Sequence, residues 1–142
     1  MRIAAKTIKP SSSYSIVVPE DSQEEFDGAI ASFWRPGEQL LLQLSSYLRH
    51  EGEQLDAATR MRDRMSKLER TFDVWRSKIH SDASVDQSTA EFTDQNGVLW
   101  LYSYLVWPHL TIFATVSGPA PVMNDDNNWA IQSIKSIRLT IH

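Results

Sequence analysis

Cysteine is absent from the 142 residues. That absence excludes a thiol nucleophile, a disulfide framework and a thiolate metal site. It fits a reducing compartment, although domains of this size fold without disulfides anywhere. Glycine is scarce, five in all. None stands in a Gly-x-Gly-x-x-Gly or Walker pattern, so there is no phosphate-cradling loop of either type, and no Gly-x-Ser-x-Gly elbow exposes a nucleophilic serine. Long apolar runs are missing too. The longest spans residues 98–101, well short of the about 20 that a membrane helix needs. The first ten residues hold Arg2, Lys6 and Lys9 but no apolar stretch of signal-peptide length. The expectation is a soluble, cytoplasmic chain without an export signal. Excess positive charge is absent as well. With 14 basic and 18 acidic residues the net charge is −4, which gives no electrostatic case for binding nucleic acid.

What is present suffices for a single domain over residues 1–142. A chain of this length buries roughly 70% of its unfolded surface, so one core can hold it. Tyr14, Ile16, Val17 and Val18 are β-formers that stop at Pro19, which predicts a first strand. Residues 20–27, with Glu20, Asp21, Glu24, Glu25 and Asp27, read as an acidic turn. Residues 29–34 form a second strand, Pro36-Gly37 a turn, and residues 38–48 its hairpin partner. There Leu40, Leu42, Leu44 and Leu48 share one face, and Gln43 and Ser45 mark the other. The period then changes. Leu55, Ala58, Met61, Met65, Leu68 and Phe72 recur every three or four positions, predicting an amphipathic helix of about five turns over 54–72.

The second half reads as strands again. Residues 88–93 alternate weakly, and Asn96-Gly97 is a strong hairpin signal. Residues 98–107 form the most apolar strand, and residues 110–116 run back after Pro108-His109. Gly118-Pro119-Ala120-Pro121 ends the sheet. Asn124, Asp125 and Asp126 offer caps for a short helix carrying Trp129, Ala130 and Ile134, and residues 137–141 close as a strand. Hairpins dominate. The expected class is α+β, a mostly antiparallel sheet of about six to seven strands with two main helices packed on it.

Strand 98–107 is apolar on both sides. Val98, Trp100, Tyr102, Tyr104 and Val106 line one face; Leu99, Leu101, Leu105 and Trp107 line the other around Ser103. A half-solvated strand should alternate apolar with polar, so something covers each face. One reading is a central strand with a helix on each side of the sheet. The other is a groove lined by Trp100, Tyr102 and Tyr104, extended by Phe113 and Tyr47, that a partner fills. Tyrosine and tryptophan suit interfaces because they bury large area and keep a polar handle.

Groups for chemistry are thin. His50, His80, His109 and His142 show no metal-ligand spacing and read as solvated. The run Asp125-Asp126-Asn127-Asn128 lacks the alternation of a calcium loop and reads as capping. Glu24-Glu25 and Glu51/Glu53 sit in polar turns, where burial would not raise a pKa for acid catalysis. The stripe Arg60, Arg62, Arg64, Lys67, Arg70 is interleaved with Asp63 and Glu69 and reads as a solvated helix face.

Three features resemble the PsbP-like fold, the group of the photosystem extrinsic protein, Ran-binding Mog proteins and bacterial DcrB/EagR-type proteins. They are the opening Tyr14, Ile16 and Pro19; the mid-chain helix between antiparallel hairpin sets; and the closing Trp129, Ile131, Ile134 and Ile137. A tryptophan common after the opening proline is replaced here by the region of Ser22 and Phe26. The resemblance implies an adaptor without an active site. In EagR-type members it implies a chaperone that holds hydrophobic helices of secreted toxins in a sheet groove. The expected function is therefore a non-enzymatic protein-binding module, in the manner of a bacterial chaperone or adaptor for a secretion-linked effector. Its contact residues would be Trp100, Tyr102, Tyr104 and Phe113. No cofactor, metal or nucleic acid is expected; the partner is another protein, its hydrophobic segment or a second copy. Two alternatives stand beside it. One is a toxin-neutralising immunity protein that meets a basic target through the acidic segment 20–27. The other is a small-molecule carrier or hydrolase with a deep pocket holding His80 or His109 beside a buried carboxylate.

Overall fold

The computed structural model describes residues 4–48, 56–68, 74–76, 79–80, 82, 84–125 and 127–140. Over these, an antiparallel sheet of seven strands packs on a smaller sheet of three. In chain order the elements are β1 (Ala5–Ser11), β2 (Tyr14–Pro19), β3 (Gln23–Asp27), β4 (Ile30–Trp34), β5 (Leu41–Leu48), α1 (Ala57–Lys67), β6 (Val74–Arg76), β7 (Asp86–Thr93), β8 (Leu99–Val106), β9 (Leu110–Gly118), α2 (Ala120–Met123), α3 (Trp129–Lys135) and β10 (Arg138–Leu139). The large sheet runs β3-β4-β5-β9-β8-β7-β6 and the small one β1-β2-β10. The α+β class is as expected, with one sheet divided into two.

Several boundaries differ from the sequence reading. Strand β1 was not anticipated, because Lys6, Thr7, Lys9 and Pro10 show no apolar alternation. It pairs with β2 from Ala5↔Pro19 to Ile8↔Ile16 and contributes mainly backbone. Within the acidic segment 20–27, residues 23–27 form strand β3 rather than a turn. All five are exposed at an edge of the sheet, where charge discourages pairing with other chains. Helix α1 has eleven residues, about three turns rather than five. Asp56 caps it by accepting from the Thr59 N–H at 2.7 Å, and Leu68 closes it. Leu55 and Phe72, the first and last apolar positions of its expected stripe, lie outside the described residues. The cap of α3 is Asn128, which accepts from the Ile131 N–H at 2.9 Å. Asp125 instead holds the loop by accepting from Asn127 N–H, and Asp126 is outside the described residues.

The inner face of the large sheet looks at the small sheet, α2 and α3. Leu42, Leu44, Leu101, Leu105, Ile112, Ala114 and Val116 pack there against Tyr14, Ile16 and Val18 of β2 and Ile131 and Ile134 of α3. Strand β2 alternates as its sequence requires, with Tyr14, Ile16 and Val18 buried and Val17 exposed. Ser103, the lone polar residue in the apolar run of β8, is satisfied across the strand pair. Its hydroxyl lies 2.9 Å from that of Thr89, both fully buried. Leu48 shares this face but is 60% exposed at the end of β5.

Candidate aromatic face and basic notch

The outer face is built by strand register. Cross-strand partners place their side chains on one side, so each set of paired residues is a row across the sheet. One row runs Trp34, Leu41, Ser117, Trp100, Phe92. The next runs Ser32, Gln43, Thr115, Tyr102, Ala90, and the one after it Ile30, Ser45, Phe113, Tyr104, Ser88. Tyr47 pairs with Thr111 beyond them.

Helix α1 covers one part of this surface. It packs on β7 and β8 through Ala57, Met61 and Met65, one turn apart and all buried. Beneath it lie Ala90, Phe92, Tyr104, Val106 and Phe113, with Trp100 and Tyr102 at the margin. The aromatic rings form one contiguous cluster. Tyr102 meets Phe92, Trp100 and Phe113 edge-on with centroids 5.0, 6.1 and 5.2 Å apart, and Tyr104 stacks on Phe113 at 4.5 Å. Such pairs add about 0.5–1.5 kcal/mol each beyond their burial.

The four residues expected to contact a partner thus share a face but not an exposure. The Tyr104 and Phe113 rings are buried, 4% and 8% exposed, because α1 lies on them. They are core, which corrects the reading of them as an open groove. Trp100 and Tyr102 are only half-buried. The Trp100 indole is anchored, its Nε1–H donating to Asp94 Oδ2 at 2.9 Å. Along the rows away from α1, Trp34, Leu41, Gln43, Ser45, Thr115 and Ser117 are all half-buried and Ile30 is 43% exposed. Gln43 donates to Ser32 Oγ at 3.2 Å, so the polar middle of this surface is organised within itself. Trp34 and Leu41 escaped sequence reasoning. Both flank the Pro36-Gly37 turn, and only the pairing of β4, β5, β9 and β8 brings them onto the row of Trp100.

At the margin of α1 the helix presents charge. Arg64 Nε–H donates to the Tyr104 hydroxyl at 2.6 Å, and its guanidinium sits 4.0 Å over the Phe113 ring and 5.7 Å from that of Tyr104. Arg60 lies 5.9 Å over Tyr47. Burial, with Tyr104 adding to it, raises the Tyr47 pKa above the ordinary phenol value, while Arg60 and Arg64 oppose the rise. These residues, with Asp63, Lys67 and Leu68, line a notch of about 450 Å³. The basic stripe therefore does have aromatic companions. They come from the sheet below, which the helix sequence cannot show.

A second depression, about 770 Å³, is lined by Ser15, His80, Asp82, Trp107, Lys135 and Arg138 among others. His80 is 8% exposed there rather than solvated. Its Nδ1 accepts from the Asp82 N–H at 3.0 Å, its Nε2 lies 2.8 Å from the Ile137 carbonyl, and Trp107 packs edge-on against the ring. Both nitrogens are engaged by backbone, and the Nε2 contact ties His80 to Ile137 in the connection from α3 to β10. The carboxylate beside it, Asp82, is exposed and held below the usual range by hydrogen bonds from Ser84. The buried His–carboxylate pair that a hydrolase would need is not formed at this histidine. His109 is exposed; His50, His142, Glu51, Glu53, Glu69 and Arg70 lie outside the described residues. Among the described residues no three His, Asp or Glu side chains cluster to hold a metal, and no helix is long and apolar enough to cross a membrane. Within the acidic segment, Asp21 pairs with Arg35 at 2.9 Å and Glu24 with Lys6 at 3.5 Å. Part of its charge is therefore met within the chain.

No protein-family model matches the chain, and no curated protein matches it. Among solved structures it is similar to a crystal structure from Bacteroides thetaiotaomicron VPI-5482, with a TM-score of 0.56 and 14% identity. The match covers 98% of this chain and 49% of that one, so the chain spans about half the length of the protein it resembles. That likeness extends to the fold alone.

Proposed function

We propose that this chain is a non-enzymatic protein-binding module that receives an apolar segment of a partner on the part of its outer sheet face that α1 leaves open. The observation that carries the reading is the row Trp34, Leu41, Ser117, Trp100. These residues are aligned by register and half-buried, and they continue an aromatic cluster whose other end α1 already covers. Two indoles and a leucine on a pleated surface supply rigid apolar area at low entropic cost, as contact surfaces do. The polar strip Ser32, Gln43 and Thr115 beside them offers hydrogen bonds that fix orientation. A chaperone or adaptor role toward a secretion-linked effector is the specific form we favour. The likeness of Tyr14, Ile16, Pro19 and Trp129 to the PsbP-like pattern supports it.

The test is calorimetric titration with an amphipathic, leucine-rich helical peptide, comparing the native chain with Trp34→Ser/Trp100→Ser. The reading expects at least about a tenfold loss of affinity with the melting transition retained. Unchanged affinity, or a double variant that no longer folds, would contradict it. Sedimentation at several concentrations tests whether a second copy occupies the face. A monomer throughout supports a foreign partner, and a dimer abolished by the same substitutions assigns the face to self-association.

A further inference from the structure

We infer that the notch between α1 and the β5–β9–β8 strands is an anion site for the carboxylates of an acidic stretch in the polypeptide partner. This inference rests on the protein-binding reading above and adds a second, charged contact to it. Arg60, Arg64 and Lys67 stand at i, i+4 and i+7 of one helix, so all three project over the same side. Like charges at that spacing repel, and among the described residues the notch they line holds one carboxylate, Asp63, against three cations. In a chain of net charge −4 this is a local reversal of sign.

The arginines are also pre-positioned. A guanidinium carries five N–H donors, and Arg64 commits one to the Tyr104 hydroxyl while its plane is held on Phe113. Arg60 is set over Tyr47. A cation ordered before binding loses little freedom on meeting a carboxylate, and its fork matches the two oxygens. The Tyr47 and Tyr104 side chains complete a wall that is half aromatic and half polar. The apolar residues at its rim, Tyr47 and Leu68, are 39% and 42% exposed. They suit a polypeptide in which acids adjoin apolar residues better than a free inorganic ion.

Fluorescence anisotropy of a labelled hexaglutamate peptide tests this. The native chain should bind it and bind a hexaglutamine control negligibly, with affinity falling as salt rises. Arg60→Gln/Lys67→Gln, which leaves the Arg64–Tyr104 anchor in place, should weaken binding about tenfold or more. Lys9→Gln/Arg138→Gln removes the same charge elsewhere and should leave binding unchanged. Equal weakening in both double variants, no binding to the native chain, or displacement by inorganic phosphate as effective as by glutamate peptide would overturn the assignment. Comparing the two peptides on the native chain separates this idea from the one beneath it. If the native chain ignores the leucine-rich peptide yet takes up hexaglutamate through Arg60 and Lys67, the apolar-face reading falls and the anion site stands. If the leucine-rich peptide binds and hexaglutamate does not, the reverse holds.

Discussion

The two faces of the large sheet are made from the same strands but finished differently. The inner face is closed by three separate elements, the small sheet, α2 and α3, and its leucines and isoleucines are almost without solvent contact. The outer face is closed by α1 alone among the described residues, chiefly over β7 and β8 and reaching Phe113 of β9. Strand β8 is apolar toward both, yet its Leu101 and Leu105 are sealed while Trp100 and Tyr102 remain partly open. Doubly apolar sequence therefore reports that both faces are wanted for contact. It does not report that the chain itself makes every contact. Residue type carries the rest of the message. Within β8 the sealed side uses leucines that interlock at interior density, and the other side uses aromatics with a polar atom, Trp100, Tyr102 and Tyr104.

This contrast can be broken by substitution. Leu101→Ala, on the sealed side, removes a side chain with no exposed area and leaves a cavity. It should destabilise the fold by about 3 kcal/mol, read as a lowered denaturant midpoint with an unchanged slope. A loss under about 1 kcal/mol would mean that the inner face is not tightly closed.

A pH experiment probes the same side. Burial pushes the Tyr14 pKa up to about 12, with a hydrogen bond to Ser46 opposing the rise. The neutral phenol is the form the fold accepts. Stability is therefore complete below the unfolded value near 10 and is lost as pH climbs toward 12, by roughly 2–3 kcal/mol. Tyr14→Phe should flatten that alkaline limb in pH-dependent unfolding. An unaltered limb would assign it to other groups.

The covered part of the outer face should respond less. Tyr104→Phe keeps the ring stack on Phe113 and deletes the acceptor for Arg64, with an expected loss of about 1 kcal/mol. On the uncovered part, Trp34→Ser should change stability by less than about 1 kcal/mol while it reduces peptide binding. A large loss of stability there would erase the distinction between the two parts. The smallest effect concerns α1 itself. Hydrogen bonds from Thr59 hold the Asp56 carboxyl below its ordinary pKa. Its contribution is therefore present above the unfolded value near 4 and fades as pH falls through the lower folded value. Amide exchange in α1 should accelerate at that pH in the native chain and be already fast, without that pH step, in Asp56→Ala.

The parts of this fold legible in the sequence are those where side chains are obliged to take sides. The β4–β5 turn at Pro36-Gly37, with Gly37 at φ 79°, and the Asn96-Gly97 turn, with Gly97 at φ 78°, follow from residues that tolerate left-handed backbone. Met61 and Met65 place the buried stripe of α1, and the leucines of β5 and β8 place the core. Strands β1 and β3 escaped because they contribute backbone hydrogen bonds and bury few side chains, so no hydrophobic period marks them. The site was half legible. The aromatics of β8 announced a surface, but which of them α1 covers depends on how a helix far along the chain lies across the sheet. Trp34 and Leu41 join Trp100 only through the pairing of β4, β5, β9 and β8. Arg60 and Arg64 meet Tyr47, Tyr104 and Phe113 only through that same helix placement. His80 shows the limit from the other direction. A histidine beside a serine and an aspartate in a polar stretch reads as solvated, and contacts with the distant Ile137 and Trp107 hold it in the interior.

Chemical-shift mapping with the leucine-rich peptide tests the central claim most directly, because it reads every row of both faces at once. The account predicts that the amide and indole signals of Trp34, Leu41, Trp100, Tyr102 and Ser117 move together while those of β2 and α3 stay in place. Shifts centred on β2 and α3, or no shifts at saturating peptide, would contradict it.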